Sequence, residues 1–410
     1  MSGTNQFRRA FVVASLTVVA CLAPLAVPSF ASPPATQPPT PSTIGGAALA
    51  RTGTFVGGGS GVTPFPKVTM ASFVVADANS GAILAARNAH TKRPPASTLK
   101  TLTALTILPR VRVDEKYQVI PADTFVEGSR VGLFPGSRYT LDNLFYALFL
   151  PSANDAANAI ARSRGSIKDT VRLMNEEAQR LQAFDTTAKN PSGLDAQGQL
   201  SSAYDLALFG REGLKNPDFA RYARTVRARF PDKEPKNPKV KRSSYQIYTE
   251  NRLMAAGYKG MIGIKSGYTT KAQRTFIGAA ERNGRRILIT MMANQEPTQV
   301  DAKLLLDWGF VNAARISTPV GQLVDPTGPA PTYTPPPSPT AQPGATPTTG
   351  SSVTDANPQT QPAAGQSRRT SPAQLFVLVF GIAFAGFLAL IGYFSGGANS
   401  RKRTQRASGP

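Results

Sequence analysis

Apolar positions along this chain come in two rhythms, and their order carries the architecture. Residues 71–76 and 82–86 are short apolar runs on either side of Asn79-Ser80-Gly81, which reads as strand, turn, strand. The same pattern returns near the other end. There, residues 275–280 and 286–290 flank Asn283-Gly284, a strong short-range hairpin signal. Between the two pairs the spacing becomes helical, over 97–108, 141–164, 167–181 and 203–210. A last helical pattern, 298–310, carries Leu304, Leu305 and Trp308. The expectation is an α/β domain of the α+β type. One antiparallel sheet is built from both ends of the domain, with a helical subdomain inserted in the middle.

The flanks follow neither rhythm. Residues 33–66 and 327–370 are rich in Pro, Thr, Gly, Ala and Ser, with too few apolar residues to offset the entropy of ordering them. Both are expected to be tethers. Gly57-Gly58-Gly59-Ser60-Gly61 lacks the strand, Lys-Ser/Thr pair and helix of a phosphate loop, so flexible linker is the expected reading. At the start, Arg8 and Arg9 precede a short apolar core, and Ser29-Phe30-Ala31 puts small residues where a signal peptidase reads. Val18-Val19-Ala20-Cys21 offers a rival lipoprotein box, against which the apolar run continuing through Val27 speaks. Residues 374–394 are uncharged and long enough to cross a bilayer core of about 30 Å. Arg401, Lys402, Arg403 and Arg406 then hold the tail inside by the positive-inside rule. The expected order is signal peptide 1–31, linker 32–67, catalytic domain 68–324, stalk 325–373, transmembrane helix 374–394 and basic cytoplasmic tail 395–410. The domain would then lie outside the cell membrane, anchored to the lipid bilayer.

Composition narrows the chemistry. Cys21 and His90 are the only residues of their kinds. That excludes an intramolecular disulfide and a Cys-built or His-rich zinc site, and leaves a Ser-His-Asp triad just one histidine to use. No metal or cofactor is expected, and His90 reads as a surface residue near the end of the second strand. Lys and Arg number 46 against 24 Asp and Glu, a net charge of +22 that attracts polyanions. With no nucleic-acid module and with export signals present, anionic wall polymers or lipids are the expected partners, and nucleic acid is not. The basic stretch 221–242 reads as a solvated, Pro-interrupted loop, with attraction to such polymers or lipids as the sharper alternative.

Three motifs carry candidate chemistry. Ser97-Thr98-Leu99-Lys100 follows Pro94-Pro95-Ala96, which sets up a helix start. On a helix Ser97 and Lys100 share a face, so the lysine can serve as base for a serine nucleophile if burial and nearby charge lower its pKa. The bland alternative is a helix cap and a solvated lysine. Ser152-Ala153-Asn154 follows Pro151. Ser152 can relay a proton to a departing amine and Asn154 can hold a peptide bond, although Ser152 can equally cap a helix. Lys265-Ser266-Gly267-Tyr268-Thr269 precedes a predicted strand. Lys265 adds positive charge beside Lys100, and Gly267 permits close backbone approach. An exposed edge strand here can pair with an extended peptide. Alone this motif is an ordinary Lys-x-Gly turn.

In this order, Ser-x-x-Lys, Ser-x-Asn and Lys-Ser/Thr-Gly resemble the signature of the penicillin-recognising serine enzymes. The run Arg93 to Lys100, Asn190-Pro191-Ser192-Gly193-Leu194-Asp195, Ser201 to Ala207 and Trp308-Gly309-Phe310 resemble their low-molecular-mass D-alanyl-D-alanine carboxypeptidases. The resemblance implies a DD-peptidase/β-lactamase-like fold without a second β domain. It implies Ser97 as nucleophile, Lys100 as general base, and Ser152 with Lys265 as proton relay. The backbone N–H groups of Ser97 and Tyr268 would form the oxyanion hole, with Asn154, Ser266, Gly267, Tyr268 and Thr269 binding substrate. It implies no metal or cofactor, stem peptides of peptidoglycan ending in D-Ala-D-Ala as substrate, and β-lactams as covalent inhibitors. Ser266 departs from the Thr of many relatives, and Ser192 stands where His is often found. Arg274 lies near the third motif without an assigned role. A DD-endopeptidase, a β-lactamase and a non-catalytic wall-binding scaffold are the competing readings. No deacylating glutamate of the β-lactamase kind is identifiable.

Overall fold

The computed structural model describes residues 44–333. The expected signal peptide, transmembrane helix and cytoplasmic tail, and most of the stalk, lie outside the described residues. The chain enters through β1 (Thr54–Val56), β2 (Ser72–Asp77) and β3 (Ala82–Arg87), and then α1 (Lys100–Ile107). The middle runs β4 (Lys116–Gln118), α2 (Pro121–Thr124), β5 (Arg138–Thr140), α3 (Leu141–Phe149), α4 (Asn154–Arg162), α5 (Ile167–Arg180) and α6 (Ala203–Gly213). After α7 (Pro217–Ala223) come the hairpin β6 (Arg227–Pro231) and β7 (Ser244–Tyr248) and the single turn α8 (Arg252–Ala255). The chain returns through β8 (Met261–Thr269), β9 (Gln273–Arg282), β10 (Arg285–Asn294), α9 (Thr298–Asn312) and β11 (Gly321–Gln322).

The main sheet has the order β1-β3-β2-β10-β9-β8, with β11 added beside β3. Its central pairing is β2 with β10, antiparallel from Ser72↔Met292 to Asp77↔Ile287. The two ends of the domain therefore meet in mid-sheet, as the hydrophobic pattern predicts. Both faces of these strands are covered, which is why they read as continuous apolar runs. Val74 and Ala76 point into the helical layer with Leu102, Leu206 and Phe209. Phe73 and Val75 point the other way, against Leu305 and Trp308 of α9.

The structure corrects several expectations. The helical pattern 141–164 is two helices, because Pro151 has no N–H to donate and Ser152 sits at φ +60, outside the helical region. The third motif is itself a strand, β8, rather than a turn before one. Its two glycines and Lys265 hide the alternation. The basic stretch 221–242 is not a loop throughout: it closes α7 and forms β6 and the tip of a hairpin.

The expected linker 32–67 is also corrected from Ile44 onward. Residues 44–67 are laid on the domain: β1 pairs with β3, Leu49 is buried, and Gly57 N–H donates to Leu84 O at 2.8 Å. Phe65 stacks on Phe73 at 5.1 Å between ring centres. The glycine cluster is there because strands lie close. A Cβ on Gly57 would come 2.6 Å from Ile316 Cγ2, and one on Gly59 would collide with the Arg315 carbonyl.

His90 is not a surface residue. Its Nδ1 lies 2.7 Å from Asp185 Oδ2, its Nε2 lies 3.0 Å from Ile44 O, and its side chain is 8% exposed. Burial alone lowers its pKa, but Asp185 and the Ile44 carbonyl outweigh burial and raise it. Its protonation therefore stabilises the fold below the unfolded histidine value near 6.5, and that contribution fades as pH rises through the raised folded value. His90→Ala should cost about 1.5–3 kcal/mol in urea unfolding at pH 6, the worth of a hydrogen bond to a charged group. It should also speed amide exchange over residues 44–50 more than elsewhere.

Candidate active site

The site is assembled where α1 begins. Ala96–Leu99 form a 3-10 turn that runs directly into α1, so Ser97 and Lys100 face the same way. The entry is firmly held. Ala96 sits at φ +49, a left-handed conformation that costs a residue with a side chain of the order of 1–3 kcal/mol. The Pro95 carbonyl accepts from Thr98 Oγ1 at 2.6 Å and from Thr275 Oγ1 at 2.8 Å, which ties the turn to β9. On the other side Gly193, at φ +84, packs so closely that a Cβ there would collide with the Ala96 carbonyl.

Lys100 is 1% exposed. Its Nζ lies 2.9 Å from Ser97 Oγ, 2.6 Å from Asn154 Oδ1 and 2.6 Å from the Ser192 carbonyl. Asn154 cannot turn its amide around, because its Nδ2 donates to Glu127 O at 2.6 Å. These three neighbours suit a neutral amine. Two N–H groups go to the carbonyl oxygens and the lone pair faces the Ser97 hydroxyl. A protonated Lys100 fills the same three positions as donors, so a proton can arrive without rearrangement. Burial pushes the Lys100 pKa well below its ordinary value, and the charge of Lys265 pushes the same way, while Glu250 and Asp155 oppose. Lys265, 2% exposed, shares a small cavity with Lys100 between Leu148 and Phe149. Burial brings its pKa down to about 8, opposed by Glu250, and its Nζ donates to Ser266 O at 2.8 Å.

Ser152 is buried in the α3–α4 break, two residues before Asn154. The residue at the head of α4 is Ala153, which makes no side-chain cap, so the Ser152 hydroxyl is not spent on the helix end. Asp155, which sequence reasoning passed over, accepts from the amides of Val131, Gly132 and Leu133 at 3.1, 2.9 and 3.0 Å. It shapes the loop over Asn154. A carboxylate in the first turn of a helix is a sequence signal that could have found it. Ser192 was also missed as a partner of Lys100. Its contribution is a backbone carbonyl, which has no residue signature. The nearest clue is the turn in which Asn190 Oδ1 accepts from Gly193 N at 2.8 Å.

β8 is the last strand of the sheet, and it crosses the Ser97 turn at Gly267. A Cβ at 267 would lie 2.5 Å from Thr275 Oγ1, 2.7 Å from Ser97 N and 3.0 Å from Thr98 N. Only glycine lets the strand come this near the Ser97 amide. Tyr268 stands 63% exposed beyond it. Thr269 is less free than the sequence suggests: its Oγ1 donates to Asp195 Oδ1 at 3.0 Å and accepts from Ala272 N at 2.9 Å. Along the strand edge, Asn251, Ser266, Tyr268, Arg274 and Gln299 line a cleft. Arg274, opposite Tyr268 in the β8–β9 register, reaches it with one nitrogen held by Gln295 O at 3.0 Å. A hydroxyl facing a buried amine, beside an edge strand with backbone donors, is an arrangement suited to acyl transfer.

Comparison with known proteins points the same way. The sequence profile of peptidase family S11, described as D-alanyl-D-alanine carboxypeptidase, matches residues 61–296. The chain is 39% identical over 258 residues to D-alanyl-D-alanine carboxypeptidase DacB2 of Mycobacterium tuberculosis, covering 61% of this chain and 86% of that protein. It is 28% identical over 247 residues to D-alanyl-D-alanine carboxypeptidase DacF of Bacillus subtilis, covering 58% of this chain and 61% of that one, under two thirds of its length. The crystal structure of a D-alanyl-D-alanine carboxypeptidase from M. tuberculosis H37Rv superposes with a TM-score of 0.59 at 37% identity. That match covers 64% of this chain and 98% of the other.

Proposed function

The chain belongs to the D-alanyl-D-alanine carboxypeptidase family of serine peptidases, and from that premise we propose that it removes the terminal D-Ala of peptidoglycan stem peptides through an acyl-enzyme on Ser97. The observation that carries this reading is the Lys100 amine, buried and 2.9 Å from Ser97 Oγ, with its other two neighbours both carbonyl oxygens. Lys100 takes the Ser97 proton as Oγ attacks the carbonyl of the penultimate D-Ala. The oxyanion faces the N–H groups of Ser97 and Tyr268, an interaction worth roughly 3–4 kcal/mol per donor in such sites. When the tetrahedral species collapses, the C–N bond breaks. The leaving amine takes a proton through Ser152, supported by the charge of Lys265. Water, with Lys100 again as base, then hydrolyses the ester and restores Ser97. A β-lactam enters the same first step and leaves Ser97 acylated.

The substrate lies along the open edge of β8, with Asn154 on its peptide bond and Ser266 near its terminus. Arg252 and Arg274 both line that cleft, and Arg274, over the Tyr268 ring, is the one beside the strand for the terminal carboxylate. Arg274→Leu should therefore raise KM for diacetyl-Lys-D-Ala-D-Ala about 10-fold or more, with a smaller change in kcat. Loss of a charge-assisted pair is worth roughly 1.5–3 kcal/mol. An unchanged KM would remove Arg274 from the site. We further read the protein as exported by residues 1–31 and anchored by residues 374–394, with the catalytic domain outside. Support comes from the charge and hydropathy of those segments. Release of free D-Ala from the same peptide, lost in Ser97→Ala, tests the carboxypeptidase reading. Adduct formation with penicillin but no D-Ala release would count against it.

A further inference from the structure

Away from the cleft, the β6–β7 hairpin carries a run of cations that the proposed reaction does not use. Its tip faces the turn 135–138 across a groove of about 940 Å³. Arg138, Lys233, Glu234, Lys236, Lys241 and Arg242 line it. Arg138 and Glu234 cancel one another: Arg138 Nη2 lies 2.9 Å from Glu234 Oε1, and the Arg138 amide donates to Oε2 at 2.9 Å. Theirs is the one ion pair among the groove's described residues. Lys233, Lys236 and Lys241 are exposed.

Arg242 adds an independent observation. Its Nε donates to Asp232 O at 2.6 Å and its Nη1 to Arg138 O at 2.6 Å, while its guanidinium lies over the Tyr139 ring at 4.5 Å. Nη2 is buried and has no acceptor. Two backbone carbonyls and an aromatic face hold the guanidinium on the groove wall, so its positive charge is fixed in place.

We propose that this groove is a second binding site, which takes a linear phosphodiester polymer of the cell wall. Lys233, Lys236, Lys241 and Arg242 are the uncancelled cations, and several charges along one groove match a ligand whose charge repeats along a chain. A groove also admits a chain where a flat bilayer would meet only its rim. The site touches the catalytic rim through two contacts. The turn 135–138 continues from residues 131–133, whose amides bind Asp155, and Tyr245 Oη donates to Val131 O at 2.5 Å. A bound polymer would keep the cleft close to wall-linked peptides and raise their effective concentration.

The test titrates the full chain, in neutral detergent, with poly(glycerol phosphate) at rising salt. Saturable, salt-sensitive binding is expected. K233Q/K236Q/K241Q should weaken it at least tenfold and lower the slope of log Kd against log salt by roughly 0.7–0.9 per lysine removed. The rate at which penicillin acylates Ser97 should not change. Equal affinity in the triple variant would overturn the proposal, as would failure of the parent to bind the polymer. Binding only to vesicles containing phosphatidylglycerol would also overturn it, and would make this face a membrane contact.

Discussion

Lys100→Met should lower the rate of penicillin acylation by about 10³-fold while leaving a folded protein. General-base assistance is typically worth 10²–10⁴-fold, and among the described residues Lys100 is the one base that hydrogen-bonds the Ser97 hydroxyl. The variant keeps side-chain volume but leaves Asn154 Oδ1 and the Ser192 carbonyl without their donor, costing of the order of 1–3 kcal/mol. A circular dichroism melt would separate that loss from the catalytic one. The same lysine sets the pH profile. Acylation should rise as pH climbs through the lowered Lys100 value, since only the neutral amine can accept the Ser97 proton. It should fall as pH passes about 8, where Lys265 loses the charge that assists the leaving group. Lys265→Gln removes a neighbouring positive charge, so the acid limb should move to higher pH and the alkaline limb should disappear. A single-turnover acylation series from pH 5 to 10 reads both limbs. A parent profile flat through pH 8 would contradict the charge assignment of the two lysines.

Gly267→Ala should cost about 10²–10³-fold in acylation, although it adds only one methyl group. The new Cβ would stand 2.7 Å from Ser97 N and 2.5 Å from Thr275 Oγ1, and neither can yield cheaply. Ser97 N belongs to the tight turn Ala96–Leu99, and Thr275 Oγ1 is bonded to the Pro95 carbonyl that anchors it. β8 must therefore swing outward, taking the Tyr268 N–H away from the oxyanion. Loss of one such donor is worth about 10²–10³-fold. The loss should fall on the acylation step rather than on initial penicillin binding. Stopped-flow traces with a chromogenic cephalosporin distinguish the two.

Much of this site could be read in the residues because its groups are side chains in short, ordered motifs. Ser97 and Lys100 meet as i and i+3 neighbours, and Asn154 and Lys265 arrive from α4 and β8 as the motif order implies. Backbone groups were beyond that reading. The Ser192 carbonyl completes the Lys100 environment, yet any residue could supply it. Strand β8 went unrecognised because Gly263, Lys265 and Gly267 interrupt its pattern. Lys265 is buried beside Lys100 and Gly267 allows the close approach to Ser97, so the contacts of the site overrode strand propensity. The segment 44–67 was read as a tether because Gly and Pro are common in linkers. Here several of those glycines serve close packing, and Ile44, Leu49 and Phe65 supply the contacts that hold the segment down. His90 was misplaced for a related reason, since its partner Asp185 lies far along the chain.

The central claim, that Ser97 is the nucleophile of a penicillin-sensitive carboxypeptidase, is tested most directly by mapping the adduct. The full chain would be incubated with a fluorescent penicillin, digested, and the modified peptide sequenced by mass spectrometry. The account predicts one stable penicilloyl group on Ser97, absent in Ser97→Ala and competed by a D-Ala-D-Ala peptide. A modification at another residue, or none on a folded protein, would contradict it.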